Sequence, residues 1–155
     1  MSTLRIRGVY TVGRLRISIV REGTDEYPSG RVETPAAAAE LFLKTAPDDA
    51  REHFRVLFLS VRHIPIGTHT VSIGCLTASL VHPREVFRMA VIAGAAGLVL
   101  THNHPSGDPE PSAEDLALTR RLAAAGSLLG IEIVDHLITG DATKAWVSLK
   151  ERGLL

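Results

Sequence analysis

Between Leu98 and Leu116 the chain passes from a continuous apolar run, Leu98-Val99-Leu100, through two histidines into a loop punctuated by Pro105, Gly107, Pro109 and Pro111, and then into a helix start. A short apolar run bounded by turn residues reads as a strand. Ser112, with the acid Asp115 three residues on and Leu116 and Leu118 beyond it, has the shape of a capping box. Strand, loop and helix in that order point to an α/β fold and also place chemistry. His102 and His104 stand at i and i+2 on extended backbone, so both imidazoles project from one side and can converge on one ion. Asp115 sits one turn into the helix, and His102, His104, Ser112 and Asp115 have spacings that suit a three-ligand metal site. Three protein ligands with a fourth position left to water is the usual catalytic arrangement for Zn²⁺, whereas structural zinc is closed by four ligands, mostly cysteines. The chain has one cysteine, Cys75, which excludes a closed thiolate site.

Each residue also has a plainer reading. Ser112 and Asp115 taken alone are a helix cap, and a loop histidine is commonly a solvated or hydrogen-bonded side chain. The coincidence of all the elements favours a metal site. The literal string His102-Asn103-His104 is not the nuclease motif of that spelling, which spreads its residues over a long ββα unit.

A chain of 155 residues suits one domain with an ordinary core. Its 45% hydrophobic and 22% charged residues are those of a soluble globular protein. One cysteine and no apolar segment behind a basic start lead us to expect a cytoplasmic protein. The most apolar stretch, Val86 to Leu100, is broken by Arg88 and glycines, so no membrane span is expected. Seventeen basic and seventeen acidic residues balance to zero, which gives no global drive toward nucleic acid or an anionic membrane.

Two segments are expected. Residues 1–33 form a β-hairpin arm and loop: Leu15, Ile17 and Ile19 alternate with Arg14, Arg16 and Ser18 as in a half-buried strand, Gly13 marks a turn, and 23–32 reads as a linker. Residues 34–155 form the main domain. Thr34-Pro35 caps a helix that Pro47 ends. Phe54 to Leu59 is a strand buried on both faces, and Thr70 to Leu76 a second. His82-Pro83 opens a helix closed by Gly94 and Gly97, and Leu98 to Thr101 is the strand that delivers the histidines. The Ser112 helix runs toward Gly126. Short strands follow at Ile131–Val134, Leu137–Thr139 and Ala145–Leu149. Several connections are too short for crossover helices, which implies a mixed sheet.

The sequence resembles the RadC group of the JAB/MPN metalloprotease superfamily. The superfamily's JAMM signature is an upstream Glu, then His-x-His-Pro, six residues, and Ser-x-x-Asp, and here His102-Asn103-His104-Pro105 is followed by six residues and Ser112-Ala113-Glu114-Asp115. RadC-like features extend through Val81-His82-Pro83-Arg84-Glu85-Val86-Phe87, His104-Pro105-Ser106-Gly107-Asp108, Asp135-His136 and the ending Ser148 to Leu155, from about Thr34 onward. The resemblance implies a three-layer α/β sandwich of the JAB/MPN, cytidine-deaminase-like kind, with a mixed sheet flanked by helices.

Carried over residue by residue, it implies that His102, His104 and Asp115 bind zinc, that Glu52 acts on the bound water and that Ser112 steadies the oxyanion. The implied activity is a zinc-dependent metallopeptidase or isopeptidase acting on a protein or peptide. Glu52 also stands just before a strand, on rigid scaffold suited to a general base, though a solvated charge would sit there equally well. Asp135 and His136 have no derivable role; they are either partners of a ligand or a polar pair at a strand end. Longer RadC proteins resemble fusions with a DNA-associated helix-hairpin-helix module, which is not legible here, and Leu59-Ser60 stands where relatives often carry an acid. Two alternatives remain. One is a protein of DNA repair or mobile elements that contacts nucleic acid through Arg5, Arg7, Arg14, Arg16 and Arg21, with weak binding expected. The other is a non-catalytic interaction domain. The oligomeric state is not legible.

Overall fold

The computed structural model describes residues 13–20, 22–24, 30–74, 81–141 and 144–155. In order, they form α1 (Pro35–Lys44), β1 (His53–Leu59), β2 (Pro65–Ile73), α2 (Pro83–Ala93), β3 (Gly97–His104), α3 (Ala113–Leu129), β4 (Glu132–Gly140) and β5 (Trp146–Ser148). The five strands make one sheet in the order β2-β1-β3-β4-β5. Only β3 and β4 run parallel, joined by α3 as crossover; the other three pairings are antiparallel. The mixed sheet is thus as expected.

Side-chain alternation sorts the sheet into two cores. Phe54, Val56 and Phe58 of β1 and Leu98 and Leu100 of β3 face α2 and α3, where they meet Val86, Phe87, Leu118 and Leu122. Leu57, Leu59, Val99 and Leu137 face the other way, against Ala38, Ala39, Leu41 and Phe42 of α1. Three layers result: α1, the sheet, then α2 with α3. The central strands β1 and β3 are buried on both faces, which explains their near-continuous apolar runs.

The helix signals held. Thr34 Oγ1 accepts from Ala37 N with Pro35 in the first turn, and His82 Nδ1 accepts from Arg84 N. Gly94, at φ 67°, closes α2 in the left-handed conformation that glycine adopts without strain.

Several boundaries differ from expectation. β2 begins at Pro65, not Thr70; as the sheet's edge strand it tolerates a first-residue proline and Gly67. Gly97 opens β3 instead of closing α2: a Cβ there would lie 2.9 Å from Val134 Cγ2. α3 runs through Gly126 to Leu129 and is capped by Gly130 at φ 69°. Gly126 is small for packing, since a Cβ would meet the Ile131 carbonyl at 2.4 Å and the Phe87 ring at 3.2 Å. The two short strands expected between Ile131 and Thr139 are one strand, β4, whose interruption is a bulge at Val134: Leu98 pairs with Ile133 but Val99 with Asp135.

In the expected arm, residues 13–20 are exposed and join no ladder among the described residues, where the pattern had suggested a half-buried strand: Leu15 is 94% and Ile17 71% exposed. The other half of the hairpin, with Arg5 and Arg7, lies outside the described residues, as do Arg21 and Cys75. No helix among the described residues is long and apolar enough to cross a membrane.

Candidate metal centre

At the C-terminal end of β3 the strand carries His102 and His104 on the face that packs against α3. His102 is fully buried and His104 partly so. The parallel pairing of β3 with β4 and the intervening crossover bring the first turn of α3 over the same point. Asp115, at the third helical position, directs its carboxylate at both rings: Oδ1 is 3.0 Å from His102 Nε2 and Oδ2 is 3.4 Å from His104 Nε2. The two Nε2 atoms are 3.0 Å apart. The sequence-derived ligands are therefore brought together, all three within reach of one ion.

Asp115 is the hub. Burial raises its pKa, but the neighbouring His102 ring and the hydrogen bonds with Ser112 outweigh burial and hold the carboxyl below the ordinary carboxylate range, so it stays ionised. Ser112 N donates to Oδ2 at 2.7 Å, while Ser112 Oγ accepts from Asp115 N at 3.1 Å. This is the reciprocal capping box read from the sequence, and it orients the Asp115 carboxylate. Capping uses one lone pair of Ser112 Oγ and leaves the hydroxyl proton for another acceptor.

The surroundings of the histidines were only partly legible. His104 Nδ1 donates to the carbonyl of Asp108 at 2.8 Å, inside the loop, which leaves Nε2 of a neutral ring as the lone-pair atom. His102 Nδ1 lies 2.9 Å from His136 Nε2, and His136 Nδ1 lies 2.6 Å from Thr119 Oγ1. Burial first, and then the neighbouring His102, push the His136 pKa well below its ordinary value, so this ring is neutral. Phe54 stacks on His102 with ring centroids 6.2 Å apart and meets His136 edge-on at 5.6 Å, forming an apolar wall. Of the two readings of Asp135 and His136, the contacts favour the first for His136, which meets the candidate ligand His102. Asp135 is a structural clamp, accepting from His136 N, Ser148 Oγ and Lys150 N. Thr119 was missed, although its place four residues after Asp115 puts it on the same helix face.

Asn103, between the two ligands, was also missed. Strand alternation turns it away from the metal face, where its Oδ1 accepts from His53 N at 2.6 Å and its Nδ2 donates to Arg51 O at 2.9 Å and to Asp141 Oδ2 at 2.7 Å. The residue bracketed by the first two contacts is Glu52, whose own carbonyl accepts from Gly74 N at 2.8 Å. Asp49 braces the same stretch by accepting from Arg51 Nε and Nη2 and by pairing with His53 Nε2. The Arg51 bonds first, then His53, hold its carboxyl well below the ordinary range. Glu52 itself is half-buried at the entrance of β1.

Comparison with known proteins decides the family. The sequence model described as the RadC-like JAB domain matches residues 32–154. The chain belongs to the RadC-like JAB domain family. Among its relatives, the UPF0758 protein of Desulfitobacterium hafniense (strain DSM 10664 / DCB-2) is 47% identical over 124 residues, covering 80% of this chain and 54% of that protein. The UPF0758 protein of Syntrophomonas wolfei is 51% identical over 119 residues, 77% of this chain and 50% of that protein. UPF0758 protein lmo1549 of Listeria monocytogenes is 44% identical over 149 residues, 96% of this chain and 63% of that protein. This RadC-like chain thus spans about half to two thirds of the length of these relatives.

Proposed function

We propose that this RadC-like domain is a zinc-dependent hydrolase of peptide or isopeptide-like amide bonds. The observation that carries the reading is the spacing of the three donor atoms. Zn–N and Zn–O bonds of about 2.0–2.2 Å in tetrahedral array put ligand atoms about 3.3 Å apart; here the two Nε2 atoms are 3.0 Å apart, and the Asp115 carboxylate faces both, Oδ1 at 3.0 Å from His102 and Oδ2 at 3.4 Å from His104. Two imidazoles and a carboxylate suit zinc, whereas Ca²⁺ and Mg²⁺ prefer oxygen donors alone. The donors converge from one side, β3 and the start of α3, which leaves a fourth position for water.

His102, His104 and Asp115 would hold the ion. When bound, zinc supplies Lewis acidity that brings the pKa of water from about 15.7 to about 7. Glu52 takes the proton from the attacking water and returns it to the leaving amine. Its support is positional: β1 pairs Phe54 with His102, and two residues back along the strand alternation gives Glu52 the same face. Asn103 and Asp49 fix the backbone on either side of it. The Ser112 hydroxyl donates to the developing oxyanion, and the substrate is a protein or peptide.

The test is elemental analysis of the purified chain together with a screen of amide substrates, run on the wild type and on Glu52→Gln. One zinc per chain and hydrolysis that disappears in zinc-loaded Glu52→Gln are expected. Turnover at the wild-type rate in that variant, or no zinc in the wild type, would overturn the reading.

A further inference from the structure

The hydrogen bonds behind His102 end on an atom that can only accept. A main-chain carbonyl has no proton to give, so the Thr119 hydroxyl, 2.7 Å from Asp115 O, is the donor of that pair. With its one proton used, Thr119 Oγ1 can only accept from His136 Nδ1 at 2.6 Å. A neutral imidazole carries one ring proton, so His136, with that proton on Nδ1, presents a lone pair at Nε2. The atom facing that lone pair, 2.9 Å away, is His102 Nδ1, which must therefore carry the His102 proton. His102 Nε2 is left bare, facing His104 Nε2 and Asp115 Oδ1.

We infer that Thr119 is a positioning residue: through His136, its hydroxyl fixes the proton of His102 on Nδ1 and thereby selects Nε2 as the atom offered to a metal. The chain closes on itself, because Asp115 supplies both the carbonyl that sets the direction and the carboxylate beside His102 Nε2. Two groups on different elements, one on β3 and one on α3, are thus matched through a single hydroxyl. Without that hydroxyl His136 loses the acceptor for its Nδ1 proton and takes the other tautomer, with the proton on Nε2. That proton then points at His102 Nδ1, displaces the His102 proton to Nε2 and blocks the ligand atom. The part of this inference that concerns metal rests on the zinc reading above; the tautomer does not.

The experiment compares the full chain as wild type, Thr119→Val, which keeps the shape of the side chain, and Thr119→Ser, which keeps the hydroxyl. Long-range ¹H–¹⁵N correlation on metal-free protein reads the His136 tautomer, and chelator competition reads zinc affinity. Expected are the Nδ1–H form in wild type and Thr119→Ser, the Nε2–H form in Thr119→Val, and zinc binding about 10- to 100-fold weaker in Thr119→Val alone. A purely structural hydroxyl would lower the melting temperature of Thr119→Val but leave tautomer and affinity at wild-type values, and that result overturns the inference. So does an Nε2–H signal from His136 in the wild type, which decides the matter even if Thr119→Val does not fold. Zinc titration of the wild type separately tests the reading of the site as a metal centre.

Discussion

Ser112 shows how one residue serves two ends. Its oxygen caps α3 and its main-chain nitrogen holds Asp115 in line with the histidines. Ser112→Ala removes the side-chain half of that exchange, and loss of a cap of this kind costs about 1 kcal/mol of stability. If the hydroxyl also donates to an oxyanion, the rate falls by about 10²–10³ as well. Thermal melting and turnover of the zinc-loaded variant separate the two effects. Asn103 makes the opposite kind of contribution, since it touches neither ligand through its side chain yet clamps the backbone flanking Glu52. Asn103→Ala is expected to retain zinc, because His102 and His104 keep their strand positions, while hydrolysis falls with the loosened Glu52. Zinc content and turnover of the same preparation check this; full activity would show that Glu52 needs no such brace.

At the level of elements, the site depends on where β4 changes face. Uninterrupted alternation from Ile133, which faces α2 and α3, would turn His136 toward α1. The extra residue at Val134 restores it to the α3 side, opposite Leu100 and within reach of Thr119. The α3 helix is held close to that strand by Gly126. In Gly126→Ala the gain in helix propensity is about 1 kcal/mol. The new Cβ would lie 2.4 Å from the Ile131 carbonyl, a backbone atom that cannot swing aside. Overpacking of about 1–3 kcal/mol outweighs the propensity, so the melting temperature should fall, by about 2–4 °C per kcal/mol for a chain of this size. A rise would mean that α3 can shift outward freely. The loop between β3 and α3 is tied to the C-terminal turn by Arg152, whose Nη1 holds both oxygens of Glu110 at 2.8 Å; exposure keeps that pair's contribution small.

For the molecule as a whole, the proposed ion would join β3 to α3, so its removal should be felt in global stability. At zinc about 1,000-fold above its dissociation constant, binding to the native state alone contributes about 4 kcal/mol. Chelation should therefore lower the melting temperature by about 8–16 °C, and readdition of zinc should restore it. An unchanged transition would show that no ion is bound natively. Leu15, Ile17, Ile19 and Val20 remain exposed in the described part of the arm, together with Arg14 and Arg16.

The amino-acid sequence determined whatever short-range chemistry dictates. The caps at Thr34, His82 and Ser112, the doubly buried runs of β1 and β3, and the i, i+2 histidines with a carboxylate on the following helix all follow from neighbours a few residues apart. The family resemblance drew on the same local strings. Tertiary structure alone decided which distant atoms meet. A bulge depends on the register of two strands brought together by a crossover, so the face presented by His136 could not be read from β4 by itself. Gly97 and Gly126 look like helix terminators in sequence, where small size and a stop signal are indistinguishable. They become packing residues once Val134, Ile131 and Phe87 stand against them. The alternating arm shows the converse: its pattern is that of a strand, but a strand is a relation between two segments, and residues 13–20 have no ladder partner among the described residues.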